Sequence, residues 1–349
     1  MLSPLPCLTA SDQLSMSYLI IGVAGTQLQK EEQAWLAHPA VGGVIVFARN
    51  WQDPQQMHRL TDEIRQHCPN ALIMVDQEGG RVQRFGSPLT ALPPLGCLGD
   101  LFDRNPEEAI ELAKAHGELM ASEVMSLGLD ISLAPVLDID GGSAVIGDRG
   151  LHAQPAAVAS LAKAYRQGMA RAGMAACGKH FPGHGTVIPD THVDDAVDDR
   201  SLDELMSQDL KPFVSSIENG LEALMLAHVC YPKVCSQPAG YSSRWIQGIL
   251  RQQLNFQGAV ISDDLGMRAA HSAGDFSQRV DASLNAGCDL LLVCRPEDVA
   301  QVMAVDLPQV DVNAAAIDGL RARPRVVGWE ALKDSRLHAN LRKQLQCLI

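Results

Sequence analysis

Asp76 ends the apolar run ALIMVD, Asp138 ends ISLAPVLD, Lys179 and His180 end AACGKH, His228 ends ALMLAH and Asp263 ends GAVISD. Each is a carboxylate, an imidazole or an amine placed where an apolar segment stops. Such groups can attack an electrophilic carbon, carry a proton, hold a metal or form a Schiff base. The densest stretch is KHFPGHGTVIPDTH, Lys179 to His192. Its two glycines and two prolines make an irregular loop rather than an immediate helix, so Lys179, His180, His184, Asp190 and His192 do not share one regular face. His and Asp are metal ligands, but the spacing gives neither HxH on a strand nor HExxH on a helix; no metal and no cofactor is expected. A Schiff-base lysine needs a desolvated apolar pocket. Beside His180 and several carboxylates, Lys179 reads instead as a charged hydrogen-bond donor.

Any one of these residues alone could cap the adjoining helix or satisfy a loop. Their recurrence at corresponding ends of successive apolar runs argues for a common face. The runs themselves are YLIIGVAG, GGVIVFA, ALIMVDQ, ISLAPVLD, AACGKHF, EALMLAHV, GAVISDD and DLLLVC, about eight candidate strands. Between them lie segments such as PEEAIELAKAHGELMASEVMSLG and AAVASLAKAYRQGMARAG, apolar at i, i+3, i+4 and i+7 and ending in Gly as helices do. Nearly continuous apolar strands alternating with helices imply a parallel sheet buried on both faces. The strand count, and the lack of a glycine-rich dinucleotide fingerprint after the first strand, favour an α/β fold of the (β/α)₈ TIM-barrel type. In such barrels the C-terminal strand ends carry the active site. No linker divides the chain, so residues 16–349 read as a single domain whose tail after Cys294 forms helices closing the barrel. Residues 1–15 read as an extension outside the core.

Composition excludes several classes. A net charge of -13 repels phosphate backbones and anionic lipid, so neither nucleic acid nor a membrane surface is an expected partner. The nine cysteines form no CxxC pair, and several sit inside apolar runs, which suits a reducing compartment. The N-terminus has no basic and apolar leader pattern, and no apolar run reaches the roughly 18 residues of a membrane span. A cytoplasmic protein is expected, and nothing demands more than a monomer.

Four stretches carry a resemblance. VDQEGGRVQR (Val75 to Arg84), GDRG (Gly147 to Gly150), KHFPGHGTVIPDTH and ISDDLGM (Ile261 to Met267) resemble the motif set of the bacterial β-N-acetylhexosaminidases of glycoside hydrolase family 3, of the short single-domain kind that acts in cell-wall recycling. The similarity runs from about Met16 to about Arg295, in the family's order. The sequence departs from the commonest wording at Thr191, where Ser is usual, and after GDRG, which continues Leu151-His152. Neither change removes a catalytic group.

The resemblance implies a retaining enzyme with Asp263 as nucleophile, His192 as acid/base and Asp190 as the partner that orients His192. Asp264 is the structural alternative to Asp263. An imidazole, with its ordinary pKa near 6.5, can give and recover a proton near neutral pH without burial. Asp76, Arg84, Arg149, Lys179 and His180 match the positions that hold the terminal sugar; the bland alternative for Asp76 with Arg84 or Arg149 is an internal ion pair. Glu78, His184 and His228 have no settled role. The implied substrate is a peptidoglycan fragment, N-acetylglucosamine β-linked to anhydro-muramic acid with or without peptide. A sugar-binding barrel without catalysis, a β-glucosidase of the same family and a phosphorylase are the alternatives. Asp190 and His192 argue against the glucosidase, which typically takes its acid from a second domain.

Overall fold

The computed structural model describes residues 17–187, 196–325 and 328–348. Strands β1 (Leu19–Gly22), β2 (Val41–Val46), β3 (Leu72–Val75), β4 (Ile131–Ser132), β5 (Cys177–Phe181), β6 (Ala223–Leu226), β7 (Ala259–Asp264) and β8 (Leu290–Val293) form one eight-stranded sheet. Its order is β4-β3-β2-β1-β8-β7-β6-β5, and every neighbouring pair is parallel. The edges meet. Val136 bridges Lys179 in parallel, the Cys177 amide donates to the Ala134 carbonyl at 2.8 Å, and the Leu137 amide donates to the Lys179 carbonyl at 2.7 Å. This is the expected (β/α)₈ barrel. Each strand is followed by its helix: α1 (Lys30–Leu36), α2 (Pro54–His67), α3 (Pro106–Ser126), α4 (Pro155–Ala172), α5 (Leu210–Glu218), α6 (Arg244–Gln253, wound as a π-helix), α7 (Phe276–Ala286) and α8 (Pro296–Val302).

All eight apolar runs become strands, though shorter than the runs. ISLAPVLD is regular only at Ile131–Ser132, because Pro135 has no N–H to give to a neighbouring strand. Strand residues on both faces are buried, Leu19, Ile20 and Ile21 alike fully so, as a barrel filled by side chains and jacketed by helices requires. Helix starts follow local chemistry. Asp53 and Asn105 accept from the amides of Gln56 and Glu108, with Pro54 and Pro106 at the first helical position. α3 and α4 lie unusually close: a Cβ on Gly117 would stand 2.3 Å from the Tyr165 carbonyl, and one on Gly168 2.0 Å from that of Lys114.

The N-terminal end of the barrel is closed by the segment beyond α8. The Tyr18 hydroxyl donates to the Pro308 carbonyl (3.0 Å), and the amides of Asn313 and Ala322 donate to Asp289 and Asp130, both at 3.2 Å. A repeated device holds this floor. Asp130, Glu222 and Asp289, each just before a strand, accept from the amides of Ile73, Ala176 and Val260, on or immediately ahead of the preceding strand. Each also pairs with an arginine of an even-numbered helix: Arg65, Arg166 or Arg251. The last helix, Arg336–Leu345, packs on α3 through a buried His338–Glu123 contact at 2.8 Å. Among the described residues no helix is long and apolar enough to cross a membrane. The extension expected at residues 1–15 lies outside the described residues.

Candidate active site

With the floor sealed, the opposite end of the barrel carries the polar strand ends. Asp76 follows β3, and the chain turns back at once in a hairpin of Gln77–Gly79 with Val82–Gln83. The turn uses Gly79 (φ 113°) and Gly80 (φ 54°), conformations costly for other residues. Asp76 and Glu78 are alternate residues of an extended segment and so point the same way. Both meet Lys179 from β5: its Nζ lies 2.8 Å from Asp76 Oδ1 and 2.6 Å from Glu78 Oε1. Arg149, on the turn Gly147–Arg149, grips Glu78 with two parallel bonds, both 2.8 Å. Arg84 completes the group at 3.3 Å from Asp76 Oδ2. Its Nε is buried and finds no acceptor among the described residues.

The electrostatics follow from this packing. Burial alone would raise both carboxyls, but Lys179 and Arg84 hold Asp76 well below the ordinary carboxylate range, and Lys179 and Arg149 lower Glu78 to about 2. Burial works against the charge of Lys179, yet Asp76 and Glu78 raise its pKa above the ordinary lysine value. Lys179 is therefore a fixed cation rather than a Schiff-base amine. Arg149 pairs with Glu78 rather than with Asp76, which corrects one form of the ion-pair alternative. Asp76 with Arg84 is the other form, and it is present.

A second group gathers around Asp138, which is fully buried. It accepts from His180 Nδ1 at 2.7 Å, from the His180 amide at 3.1 Å and from the His184 amide at 2.7 Å. Burial opposes its charge, but His180 outweighs burial and holds its pKa low. One carboxylate thereby sets both the ring of His180 and the start of the loop that follows.

On β7, Asp263 and Asp264 divide their roles by direction. Asp264 Oδ1 accepts from the amides of Gly266 (3.0 Å) and Cys294 (3.1 Å), tying β7 to the end of β8. Burial raises its pKa. Asp263 Oδ1 accepts only from the Asp264 amide at 2.8 Å among the described residues, which leaves the rest of its carboxylate for another molecule. His228, which has no settled role in the sequence, is buried with its ring tilted on Tyr241 at 5.5 Å, and burial keeps its pKa low.

Asp76, Arg84, Arg149, Lys179, His180 and Asp263 all line one cavity of about 410 Å³, with Glu78 and His184 also in its wall. The sequence groups the first six; it leaves Glu78 and His184 without a role and gives Asp138 none beyond its strand end. Asp190 and His192 lie outside the described residues. The segment that carries them is flanked by Thr186 and by Arg200, whose Nη2 donates to Thr186 Oγ1 at 2.6 Å while the guanidinium pairs with Asp198 and Asp209.

A closed eight-stranded barrel with a charged pocket at its C-terminal end is the setting in which the comparisons with known proteins fall. The model described as "Glycosyl hydrolase family 3 N terminal domain" matches residues 11–323, and the chain belongs to that family. Within it the chain stands with the β-hexosaminidases. It is 50% identical over 328 residues to the beta-hexosaminidase of Stenotrophomonas maltophilia strain R551-3, covering 94% of this chain and 97% of the relative. It is 51% identical over 315 residues to that of Xanthomonas campestris pv. campestris strain B100 (90% and 95%). Among solved structures it resembles NagZ from Neisseria gonorrhoeae in complex with N-trifluoroacetyl-D-glucosamine: TM-score 0.88, 38% identity, 96% of this chain and 98% of that one.

Proposed function

We propose that the protein is a retaining exo-β-N-acetylglucosaminidase that removes a terminal β-linked N-acetylglucosamine from peptidoglycan fragments. The observation that carries this reading is the cavity lined both by the carboxylate of Asp263, which among the described residues accepts only from the Asp264 amide, and by the Asp76–Lys179–Glu78–Arg149 cluster. Asp76, ionised at any physiological pH, accepts from sugar hydroxyls; Arg84, Arg149, Lys179 and His180 donate to hydroxyl and N-acetyl oxygens. The buried, unsatisfied Nε of Arg84 is a donor that a bound sugar can complete. Asp263 attacks the anomeric carbon and forms a glycosyl-enzyme, and a proton goes to the departing oxygen.

That proton cannot come from Glu78, whose carboxyl is lowered to about 2 by its cationic partners and stays ionised. His192 supplies it, oriented by Asp190, and then takes a proton from the water that releases the sugar. The substrate is N-acetylglucosamine β-linked to anhydro-muramic acid, with or without peptide. The enzyme works as a monomer in the cytoplasm, with residues 16–349 as its catalytic unit and 1–15 as an extension. Asp263→Asn keeps shape and loses the attacking charge. Its turnover of a nitrophenyl N-acetylglucosaminide is expected to fall by several orders of magnitude while substrate still binds. Retention of more than about a tenth of the rate, a difference of only ~1.4 kcal/mol, would reject Asp263 as nucleophile.

A further inference from the structure

Asp263 and Asp264 both line the sugar cavity, yet successive residues of a regular strand point to opposite faces. The pairing of β7 with β8 shows how both reach it. Ile261 pairs with Leu290 and Asp264 with Leu292, so Ser262 and Asp263 stand opposite Leu291 alone. Two residues against one make a β-bulge, which is uncommon between parallel strands and re-aims the side chains around it. On its other side β7 keeps unshifted register with β6 through Ile261 and Met225. The distortion therefore faces β8 and falls on the residue read as nucleophile.

A bulge interrupts the ladder, and here a side chain fills the gap. Ser262 is fully buried. Its Oγ accepts from the Leu292 amide at 3.1 Å, and its hydroxyl donates to the Asp263 carbonyl at 2.8 Å. One hydroxyl thus ties β8 to the nucleophile's own peptide. Continuing the β6–β7 register past Ile261 brings His228 level with Asp264. The imidazole is buried, and neither ring nitrogen meets a hydrogen-bond partner among the described residues. Tyr241 closes it in, with ring centroids 5.5 Å apart, and so does Gly240, where a Cβ would stand 3.5 Å from Nδ1. Burial lowers the pKa of the ring, while the Asp263 carboxylate and the backbone of Asp263 and Asp264 pull the other way, which puts them beside it.

We propose that Ser262 and His228 are positioning residues for the nucleophile: Ser262 ties the Asp263 peptide to β8, His228 backs the same peptide from the β6 side, and together they hold the carboxylate toward the anomeric carbon. The inference rests on the glycosidase reading and deepens it, from which carboxylate attacks to what aims it. Asp263 accepts only from the amide of its own neighbour Asp264 among the described residues, so its carboxylate moves with the peptide that carries it. Attack needs the reacting atoms about 3–3.5 Å apart and aligned, and a displacement of about 1 Å can cost about a hundredfold in rate. Neither positioning residue has to touch the sugar to have that effect.

The test follows the attack itself. With a ring-fluorinated N-acetylglucosaminyl fluoride the bond from the anomeric carbon to fluorine breaks, fluoride leaves without needing an acid, a bond to an Asp263 oxygen forms, and the ring fluorine slows release of the glycosyl-enzyme. The trapping rate, kcat on a nitrophenyl N-acetylglucosaminide and the inhibition constant of N-acetylglucosamine are measured for wild type, Ser262→Ala, Ser262→Thr and His228→Gln. Ser262→Ala is expected to lose about tenfold to a hundredfold in trapping and in kcat while sugar binding stays within about twofold of wild type, and Ser262→Thr, which keeps the hydroxyl, to recover most of the loss. His228→Gln is expected to show the same split, and it carries the test if Ser262→Ala does not fold. Trapping at the wild-type rate in Ser262→Ala, or in His228→Gln in its place, overturns the proposal. So does a loss of trapping matched by an equal weakening of sugar binding, as a general disturbance of the barrel would give, or an equal loss in folded Ser262→Ala and Ser262→Thr. Failure of the glycosidase reading looks different: wild type then takes no label, or peptide mass mapping finds the label on a residue other than Asp263, which removes the nucleophile and this inference with it.

Discussion

Glu78→Gln is the substitution for which the structure gives the sharpest expectation. The carboxylate is 1% exposed and accepts two bonds from Arg149 and one from Lys179. Glutamine has the same shape, but one of its terminal atoms becomes an NH₂ facing a donor of Arg149. Lys179 then keeps only Asp76 as an ion-pair partner, and Arg149 keeps none among the described residues. Removing one partner from a buried ion pair costs about 3–5 kcal/mol, because the charge left behind is uncompensated. Glutamine's remaining oxygen can keep one bond, so a loss of about 3 kcal/mol is expected in urea unfolding at pH 7. Since Arg149 and Lys179 are the donors that hold the sugar, kcat/KM should fall by at least about tenfold, equivalent to ~1.4 kcal/mol. The difference in stability must depend on pH. Glu78 is lowered from its ordinary 4.5 to about 2, so its stabilisation is complete above 4.5 and disappears as the pH falls toward 2. A variant within about 0.5 kcal/mol of wild type at pH 7, with kcat/KM unchanged, would refute this account of the cluster, since ordinary surface substitutions do no more.

Three further expectations follow from other parts of the molecule. His192→Ala should lose far more activity on a disaccharide than on a nitrophenyl glycoside at the glycosylation step, because a sugar cannot depart without a proton; equal losses would place the acid elsewhere. His116 is fully buried against Tyr165, and burial lowers its pKa from 6.5 to about 4. The unfolded chain therefore takes up a proton that the folded one refuses, and stability should drop by about 2 kcal/mol between pH 7 and pH 5; a His116→Gln protein with the same pH slope would disprove that source. Asp289→Ala removes the acceptor shared by Arg251 and by the amides of Val260 and Asn313. It should cost about 3 kcal/mol or more in thermal or urea unfolding yet leave kcat of the folded enzyme near wild type, because the floor lies at the far end of the barrel from the pocket. A large fall in kcat without loss of stability would contradict that separation.

The sequence alone determined the barrel. Eight apolar runs alternating with helix-period segments admit few other arrangements, since strands without polar alternation must be covered on both faces. It also located the pocket residues that end strands, because a polar group closing an apolar run has a fixed place on one rim: Asp76, Lys179, His180 and Asp263 were found this way. The tertiary structure decided which charges meet. Glu78 and Arg149 are 71 residues apart and Lys179 and Asp76 103 apart, and no local periodicity specifies which cation takes which carboxylate. Glu78 was legible only in hindsight, as the residue alternate to Asp76 in a segment that had first to be recognised as extended. Asp263 and Asp264 are told apart in the sequence only by the family resemblance, not by their own chemistry or spacing. They differ because one carboxylate turns into the joint between β7 and β8, where backbone amides consume it, and the other turns into the cavity. Direction about a strand axis at its last residue depends on the neighbouring strand's register, which exists only once the barrel has closed.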